Sequence, residues 1–209
     1  MLSNIEKNNV KDVYEIISKH FSNTRVFTWS WISDFVNSLE KNSLILDIGC
    51  GNGRNMEFNN YNFIGIDNCD GFLNICREKK LNVLNASMTN IPLLSNTFDA
   101  IICIASFHHL SSNISRLNSL LEMKRLLKNN GKIMLSIWSI NQPLKTKKVF
   151  KKYGDTIVTY NKFGEIYERY YYIFKIDEIK KLFIQSGLLL LKHNYDCGNE
   201  IFILSNFWS

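Results

Sequence analysis

The feature that most constrains the fold of this chain is a short apolar segment, followed by an acid and then by alternating glycines. Residues 44–53 read LILDIGCGNG. Fourteen residues after Gly53, a second apolar run, residues 63–66, ends in the acid Asp67. Glycines have no Cβ, so a ligand can approach the backbone of such a turn, and a carboxylate at the next strand end can accept hydrogen bonds from ribose hydroxyls. The two strand ends therefore predict a site for a nucleoside cofactor.

The spacing of the glycines and one nearby charge indicate which nucleoside cofactor this site would bind. Gly49, Gly51 and Gly53 follow a G-x-G-x-G pattern, whereas the dinucleotide fingerprint G-x-G-x-x-G seats a pyrophosphate on a helix N-terminus. Asp47 lies directly before the turn, where it would repel a pyrophosphate and attract an ammonium group. An adenosyl ligand with a positively charged amino-acid tail fits this charge, so the sequence predicts S-adenosylmethionine as the cofactor.

The length and composition predict one globular domain. A chain of 209 residues with 45% hydrophobic and 21% charged residues can bury one substantial core. We expect no membrane association, because no apolar run could span a bilayer and no secretory signal is visible. Five cysteines without a C-x-x-C pair predict neither a disulfide framework nor a zinc site. Reduced cysteines are typical of the cytoplasm or the nucleus, so we expect a cytoplasmic or also nuclear location. The net charge of +6 is compatible with a polyanionic partner, although a merely basic surface explains it equally well.

Alternating strand-like and helix-like segments predict the fold class. We expect strands at 44–47, 63–67, 82–85, 100–105, 132–138, 188–194 and 201–204, and helices at 5–20, 29–39, 71–80, 114–127 and 177–186. This alternation is typical of a mostly parallel sheet covered on both faces. The last two strands have no helix between them. The sequence thus predicts an α/β fold with a doubly wound, mostly parallel, seven-stranded sheet and an antiparallel last strand, the Rossmann-like architecture of class I methyltransferases.

The predicted single domain covers residues 1–209, with N-terminal helices at 5–39 and an insertion at about 140–169. The insertion carries a run of lysines: Lys145, Lys147, Lys148, Lys151 and Lys152. A solvated insertion and an electropositive flap that meets phosphates explain this run equally well.

Ligands of open α/β sheets lie outside the carboxyl ends of the strands, so the residues after each strand are the site candidates. The turn after strand one would hold the methionine portion, the acid after strand two the ribose, and the segment after strand three the adenine. The segment after strand four would face the departing methyl group and the acceptor. In chain order the candidates are Asp47, Gly49, Cys50, Gly51, Asn52, Gly53, Asp67, Asn68, Asn85, Ala86, Ser87, Ala105, His108 and His109.

Some of these candidates also have plainer explanations. Asp67 could cap the helix that starts near Asp70, and Cys50 could be a small apolar filler of the turn. Adjacent side chains diverge, so one of His108 and His109 is expected to pack or bond the backbone while the other reaches the site. No third ligand accompanies the two histidines at a workable spacing, so no metal site is predicted.

Motifs outside the glycine turn are more specific. They are VYEI (13–16), HFSxTR (20–25), IASFHHLS (104–111), DTIV (155–158), YERYYYIF (167–174) and YDxGN (195–199). With these motifs the chain resembles, over nearly its whole length, the eukaryotic tRNA wobble-uridine carboxymethyl methyltransferases. Members of that family methylate the carboxylate of 5-carboxymethyluridine to give the methyl ester.

The resemblance implies an enzyme that uses S-adenosylmethionine and acts on the tRNA anticodon loop. At the matching motif positions it implies catalytic roles for Arg25, His108, His109, Arg169 and Asp196. Two positions depart from the family pattern: Asn85 stands where an aspartate is usual, and Glu200 where an aromatic residue is usual. A carboxylate acceptor is already ionised at pH 7, so the expected reaction needs no general base.

The resemblance also implies a partner, a small zinc-binding methyltransferase activator subunit that would pair along the exposed sheet edge from Leu81 to Leu84. A locally covered edge in a monomer is the alternative. Two other functions stay open at this point. One is a methyltransferase that acts on a quinone or another small metabolite, and the other is a non-catalytic scaffold that keeps the methyltransferase fold.

Overall fold

The computed structural model describes residues 2–144 and 150–206. Its described strands are β1 (Leu44–Ile48), β2 (Asn62–Asp67), β3 (Val83–Asn85), β4 (Phe98–Ile104), β5 (Leu127–Trp138), β6 (Gly154–Lys162), β7 (Glu165–Ile173), β8 (Leu188–Asp196) and β9 (Asn199–Asn206). Seven of them form one sheet in the order β3-β2-β1-β4-β5-β9-β8. Strands β1 to β5 are parallel, and β9 runs antiparallel to both of its neighbours. The predicted α/β sheet with an antiparallel last strand is confirmed.

The described helices are α1 (Asn4–Glu6), α2 (Asp12–Asn23), α3 (Ser30–Asn37), α4 (Asp70–Glu78), α5 (Asn113–Leu126) and α6 (Ile176–Ser186), and a π-helical turn, Lys7–Lys11, joins α1 to α2. Local chemistry explains where several of them begin or end. Ser3 and Glu6 form a reciprocal capping box at the start of α1, and the Ser112 side chain caps α5. Gly187 ends α6 with a φ of +68°. No helix within the described ranges is both long and apolar enough to cross a membrane.

The core lies on both faces of the sheet. On one face, α5 and α6 pack against buried side chains such as Phe98, Ile133 and Phe202. On the other face, α3 contributes Ile32 and Val36 to a second cluster with the central strands. The connection between β1 and β2 contains only a short 3-10 turn, Arg54–Met56.

The insertion at about 140–169 needs a correction, because the sequence predicted no strand there. Strands β6 and β7 form an antiparallel hairpin with a continuous register from Gly154 opposite Ile173 to Lys162 opposite Glu165. The second strand enters the core, since Arg169 and Tyr171 are buried. The hairpin therefore belongs to the packed fold, while the solvation of the lysine run stays a prediction. Lys151 and Lys152 are exposed, whereas Lys145, Lys147 and Lys148 lie outside the described residues, and the electropositive flap stays a prediction.

Candidate active site

A cavity of about 630 Å³ opens at the carboxyl ends of the first four strands. Its size is within the range of small-molecule sites. The predicted site residues that line it are Arg25, Gly49, Cys50, Gly51, Asn52, Asp67, Asn68, Ala86, Ser87, Ala105, His109 and Asp196. Segments that follow β1, β2, β3 and β4 thus meet at one edge of the sheet, because parallel strands end on the same side.

The glycine turn after β1 forms the floor of this cavity. Gly51 has a φ of +54°, and a Cβ built there would meet no atom within 4 Å, so the missing side chain leaves open space for a ligand. Gly49 has a φ of +70°, and its Cβ would approach that of Ser106 to 2.5 Å. The turn therefore needs glycine at position 49 for close packing, and the glycine at position 51 leaves room for a ligand.

Asp67 connects this turn to the end of β2. Its Oδ2 accepts a hydrogen bond from the backbone N–H of Gly51 (2.9 Å), and its Oδ1 accepts from that of Cys69 (3.0 Å). Burial raises the pKa of Asp67, and the backbone donors oppose that shift. The first N–H groups of α4, at Asp70 and Gly71, instead bond the carboxylate of Glu15, at 2.7 and 2.9 Å. Glu15, rather than Asp67, therefore caps α4.

Asp47 lies beneath the turn and is not among the lining residues. Only 1% of it is exposed, and neither carboxylate oxygen has a hydrogen-bond partner among the described residues. Burial, followed by the nearby charge of Asp67, raises the pKa of Asp47 to about 7, and Arg54 opposes the shift. Two buried acceptors without a donor form a site at which an ammonium group would be stabilised.

Arg54 is a lining residue that the sequence interpretation missed. Its guanidinium stacks on the Trp29 ring at 4.3 Å and donates to the Phe27 carbonyl at 3.4 Å. Burial, followed by the charge of Arg25, lowers the pKa of Arg54 to about 10. The Asn52 side chain donates to the Arg25 carbonyl at 3.1 Å, which ties Arg25 to the glycine turn. The position of Arg54 directly after the last glycine was the available signal.

The opposite wall is a polar network centred on Tyr14. Its Oη lies 3.2 Å from His109 Nε2, 3.2 Å from Tyr171 Oη and 3.3 Å from Arg169 Nη1. His109 Nδ1 lies 2.7 Å from the carbonyl oxygen of Tyr170, which can only accept, so Nδ1 carries the proton and Nε2 accepts from Tyr14. Burial lowers the pKa of His109 to about 4, so the ring is neutral at pH 7. The central role of Tyr14 could not be predicted from the sequence, because its partners are distant along the chain.

Arg169 contacts this wall from behind. It is 4% exposed, it is not a lining residue, and its Nε has no hydrogen-bond partner among the described residues. Its guanidinium carbon lies 5.4 Å from the Tyr171 ring centroid and 5.1 Å from that of Tyr160. Within residues 2–144 and 150–206, no carboxylate lies within ion-pair distance of it. The cavity is therefore bordered by a buried positive charge.

The structure keeps several predicted residues out of the cavity lining. His108 is buried, and its Nδ1 accepts from the backbone N–H of Trp138 at 3.1 Å, so His109 is the histidine that lines the cavity. The Asn85 side chain donates to Asp70 Oδ1 at 2.8 Å. Gly53, the last glycine of the turn, packs against the Leu81 side chain and does not line the cavity. The roles of these residues toward a ligand stay predictions.

The departure at Glu200 is accommodated by two polar partners. One Glu200 oxygen accepts from Ser139 Oγ at 2.6 Å, and the other lies 2.8 Å from His193 Nε2. A buried carboxylate thus lies next to the turn between β8 and β9.

These residues fit S-adenosylmethionine. The carboxyl group of Asp47, beneath the cavity floor, would attract the ammonium group of this cofactor. The open space above Gly51 suits its methionine portion, and Asp67 lies at the strand end where a ribose is held. The strand order and the glycine turn together define the class I S-adenosylmethionine-dependent methyltransferases.

Comparisons with known proteins identify the family within this class. Residues 46–135 match the family model described as a methyltransferase domain. The chain is 37% identical over 147 residues to a tRNA (carboxymethyluridine(34)-5-O)-methyltransferase of Xenopus tropicalis, covering 70% of this chain and 23% of that protein. It is 31% identical over 217 residues to the enzyme of that name from Schizosaccharomyces pombe, covering 93% of this chain and 94% of that one. The chain belongs to the family of tRNA (carboxymethyluridine(34)-5-O)-methyltransferases.

A solved structure supports the fold. A methyltransferase in complex with the Haloferax volcanii Trm112 methyltransferase activator superposes with a TM-score of 0.68 at 12% identity, covering 94% of this chain and 96% of that one. At this identity the likeness concerns the fold alone. The chain spans less than a quarter of the length of the Xenopus protein that it matches.

Proposed function

We propose that this chain transfers the methyl group of S-adenosylmethionine to the carboxylate of 5-carboxymethyluridine at the wobble position of tRNA. Membership of the family supports this activity. The observation that carries the proposal is the buried Arg169, which lies without an acidic partner among the described residues, against the cavity wall opposite the glycine turn.

The charge of Arg169 explains why an anionic acceptor would be favoured. A buried cation without a counter-charge costs several kcal/mol in effective desolvation. Tyr14 offers Arg169 one neutral acceptor at 3.3 Å, which offsets only part of that cost. A carboxylate brought into the cavity would supply the missing negative charge, and Arg169 would attract it across the wall that Tyr14 and Tyr171 form.

The reaction requires orientation more than proton transfer. When bound, S-adenosylmethionine supplies an electrophilic methyl carbon on a positively charged sulfur. A carboxylate oxygen would form the new bond to that carbon while the carbon–sulfur bond breaks, and both charges are neutralised in the products. The protein would hold the two groups in line and exclude water. Since both ring nitrogens of His109 are bonded within the protein, His109 would help to shape the wall rather than act as a base.

The decisive experiment is methyl transfer to tRNA from cells that lack this modification, followed by mass spectrometry of the anticodon nucleosides. We expect the methyl ester of 5-carboxymethyluridine to appear only when S-adenosylmethionine is present. Methylation of a quinone or another metabolite in place of tRNA would favour the small-molecule alternative. Failure to bind S-adenosylmethionine in calorimetry would favour a scaffold.

Variants at the two arginines test the acceptor pocket. Arg169→Met should lower kcat/KM for tRNA by about 100-fold, because an anionic acceptor loses the positive charge behind the cavity wall. Arg169→Lys should recover only part of this loss, and the exposed Arg77→Met serves as the control.

Arg25→Ala should nearly abolish methyl transfer while cofactor affinity stays within a few-fold. Loss of cofactor binding in Arg25→Ala would instead assign Arg25, with Arg54, to the carboxylate of the cofactor.

We also propose that a methyltransferase activator subunit binds along β3. In the described sheet β3 pairs only with β2, so one edge of Val83–Asn85 is open. The Haloferax neighbour, which was solved with such an activator, supports this proposal at the level of the fold. Whether the partner holds zinc can be measured on the purified complex. A chain that is monomeric, soluble and fully active when expressed alone would contradict an obligate partner.

A further inference from the structure

Two phenylalanines, one in the cavity lining and one on the hairpin, are unusually exposed. Phe163, in the turn between β6 and β7, is 85% exposed, and Phe27, in the loop between α2 and α3, is 87% exposed. Phe163 has a φ of +52°. A hairpin turn normally places glycine or asparagine in that conformation, so a solvent-exposed ring there has a cost that folding alone does not explain.

A chain of ring contacts leads from Phe163 into the molecule. The Phe163 ring packs edge-on against His20, with centroids 4.6 Å apart. His20 in turn contacts Tyr160 at 5.7 Å, and its Nδ1 lies 2.7 Å from the Tyr160 hydroxyl. Tyr160 contacts Phe21, again at 5.7 Å. These contacts join the hairpin to α2 by aromatic rings at each step.

The same series ends at the mouth of the cavity. The Arg25 guanidinium lies over the Phe21 ring at 4.6 Å. Phe21, Arg25 and Phe27 all line the cavity. We call the series Phe163, His20, Tyr160, Phe21 and Arg25 the aromatic strip, and Phe27 stands at its cavity end.

The charges along the aromatic strip are mainly positive. Arg25 belongs to it, Lys19 is exposed beside His20, and Lys162 precedes Phe163 and donates to the Ile16 carbonyl at 3.0 Å. Two nearby acidic residues are hydrogen-bonded within the protein. Glu165, opposite Lys162 in the hairpin, accepts from the Tyr167 hydroxyl, and Glu15 caps α4.

We propose that the aromatic strip binds the single-stranded RNA that flanks the nucleotide in the cavity. Bases would stack on Phe163 and Phe27, and the backbone phosphates would lie near Arg25, Lys19 and Lys162. Exposed rings between cations are the usual way in which proteins hold unpaired nucleotides without reading a duplex. That this RNA is the anticodon loop rests on the proposed function. The contact between strip and RNA does not depend on catalysis.

The test is the binding of a short fluorescein-labelled single-stranded RNA, measured by anisotropy with the chain of 209 residues. Phe163→Ala should weaken binding about tenfold, the value of one lost base stack. Phe163→Tyr keeps a ring and should stay within about twofold of the wild type. Ile166→Ala removes another side chain that is 59% exposed on the same hairpin, and it should leave the affinity unchanged. In methylation assays the Phe163→Ala effect should fall on the KM for tRNA and not on kcat.

The outcomes separate the strip from the proposed function. Equal RNA affinity of Phe163→Ala and the wild type would overturn the strip, as would an equal loss in Ile166→Ala. Equal affinity of the wild type for a duplex of the same length would also overturn it, because stacking needs unpaired bases. RNA binding that depends on Phe163, without methyl transfer to tRNA, would support the strip and contradict the proposed function.

Discussion

The buried Asp47 predicts a definite pH dependence of cofactor binding. Its pKa is raised to about 7, so in the free protein the carboxyl group is largely protonated at pH 6. Binding of the cofactor's ammonium group would favour the ionised form, and a proton would be released. Affinity should therefore rise with pH, because the cost of ionising Asp47 disappears above its pKa.

The magnitude follows from the fraction of Asp47 that is ionised. With a pKa of about 7, that fraction is roughly 3% at pH 5.5 and about one half at pH 7. The dissociation constant for S-adenosylmethionine should thus fall roughly 15-fold between these pH values. The comparison stops at pH 7 because the amino group of the ligand itself titrates near pH 7.7–8.0.

Isothermal titration calorimetry in buffers of different ionisation enthalpy measures both affinity and proton release. At pH 6 we expect release of about 0.9 proton for each cofactor bound. Asp47→Asn should bind more weakly, with little change between pH 5.5 and 7. An affinity that is flat or falls as the pH rises in the wild type would refute the reasoning, and so would the same slope in Asp47→Asn.

Two further predictions concern the turn and the helix next to it. Gly53→Ala should lower the free energy of unfolding by about 1–3 kcal/mol, because φ is +74° and the new Cβ would lie 2.3 Å from Leu81 Cδ1. Gly51→Ala carries a similar backbone strain, because φ is +54°, but it has no clash with Leu81. It should therefore lose less stability than Gly53→Ala in urea denaturation and more cofactor affinity in calorimetry. Glu15→Gln removes a charged cap from α4 and should cost about 1 kcal/mol in urea denaturation. Glu78→Gln, at the other end of that helix, is its control, and an equal loss there would contradict the capping argument.

Most of the sheet could be predicted from the sequence because its signals are local. Strands β1 and β4 are buried on both faces, and β2 is buried at Gly65 and Ile66, so their apolar runs are visible in the chain. The alternating glycines likewise indicate a tight turn directly from the sequence. The hairpin of β6 and β7 was missed although residues 170–174 read YYYIF, because the lysines that precede it are typical of a solvated insertion. Its burial comes from packing against α2 and the turn after β4, which no local pattern records.

The sequence by itself determined the class of fold, the turn that receives the cofactor and the residues that follow each strand. Those properties depend on periodicity and on neighbours a few residues apart. Only the tertiary structure decided that His109 rather than His108 lines the cavity, and that Glu15 rather than Asp67 caps α4. It also decided that Tyr14 bonds Arg169, which is 155 residues away. Such contacts arise when distant elements pack together, and packing is a property of the whole fold that no segment encodes alone.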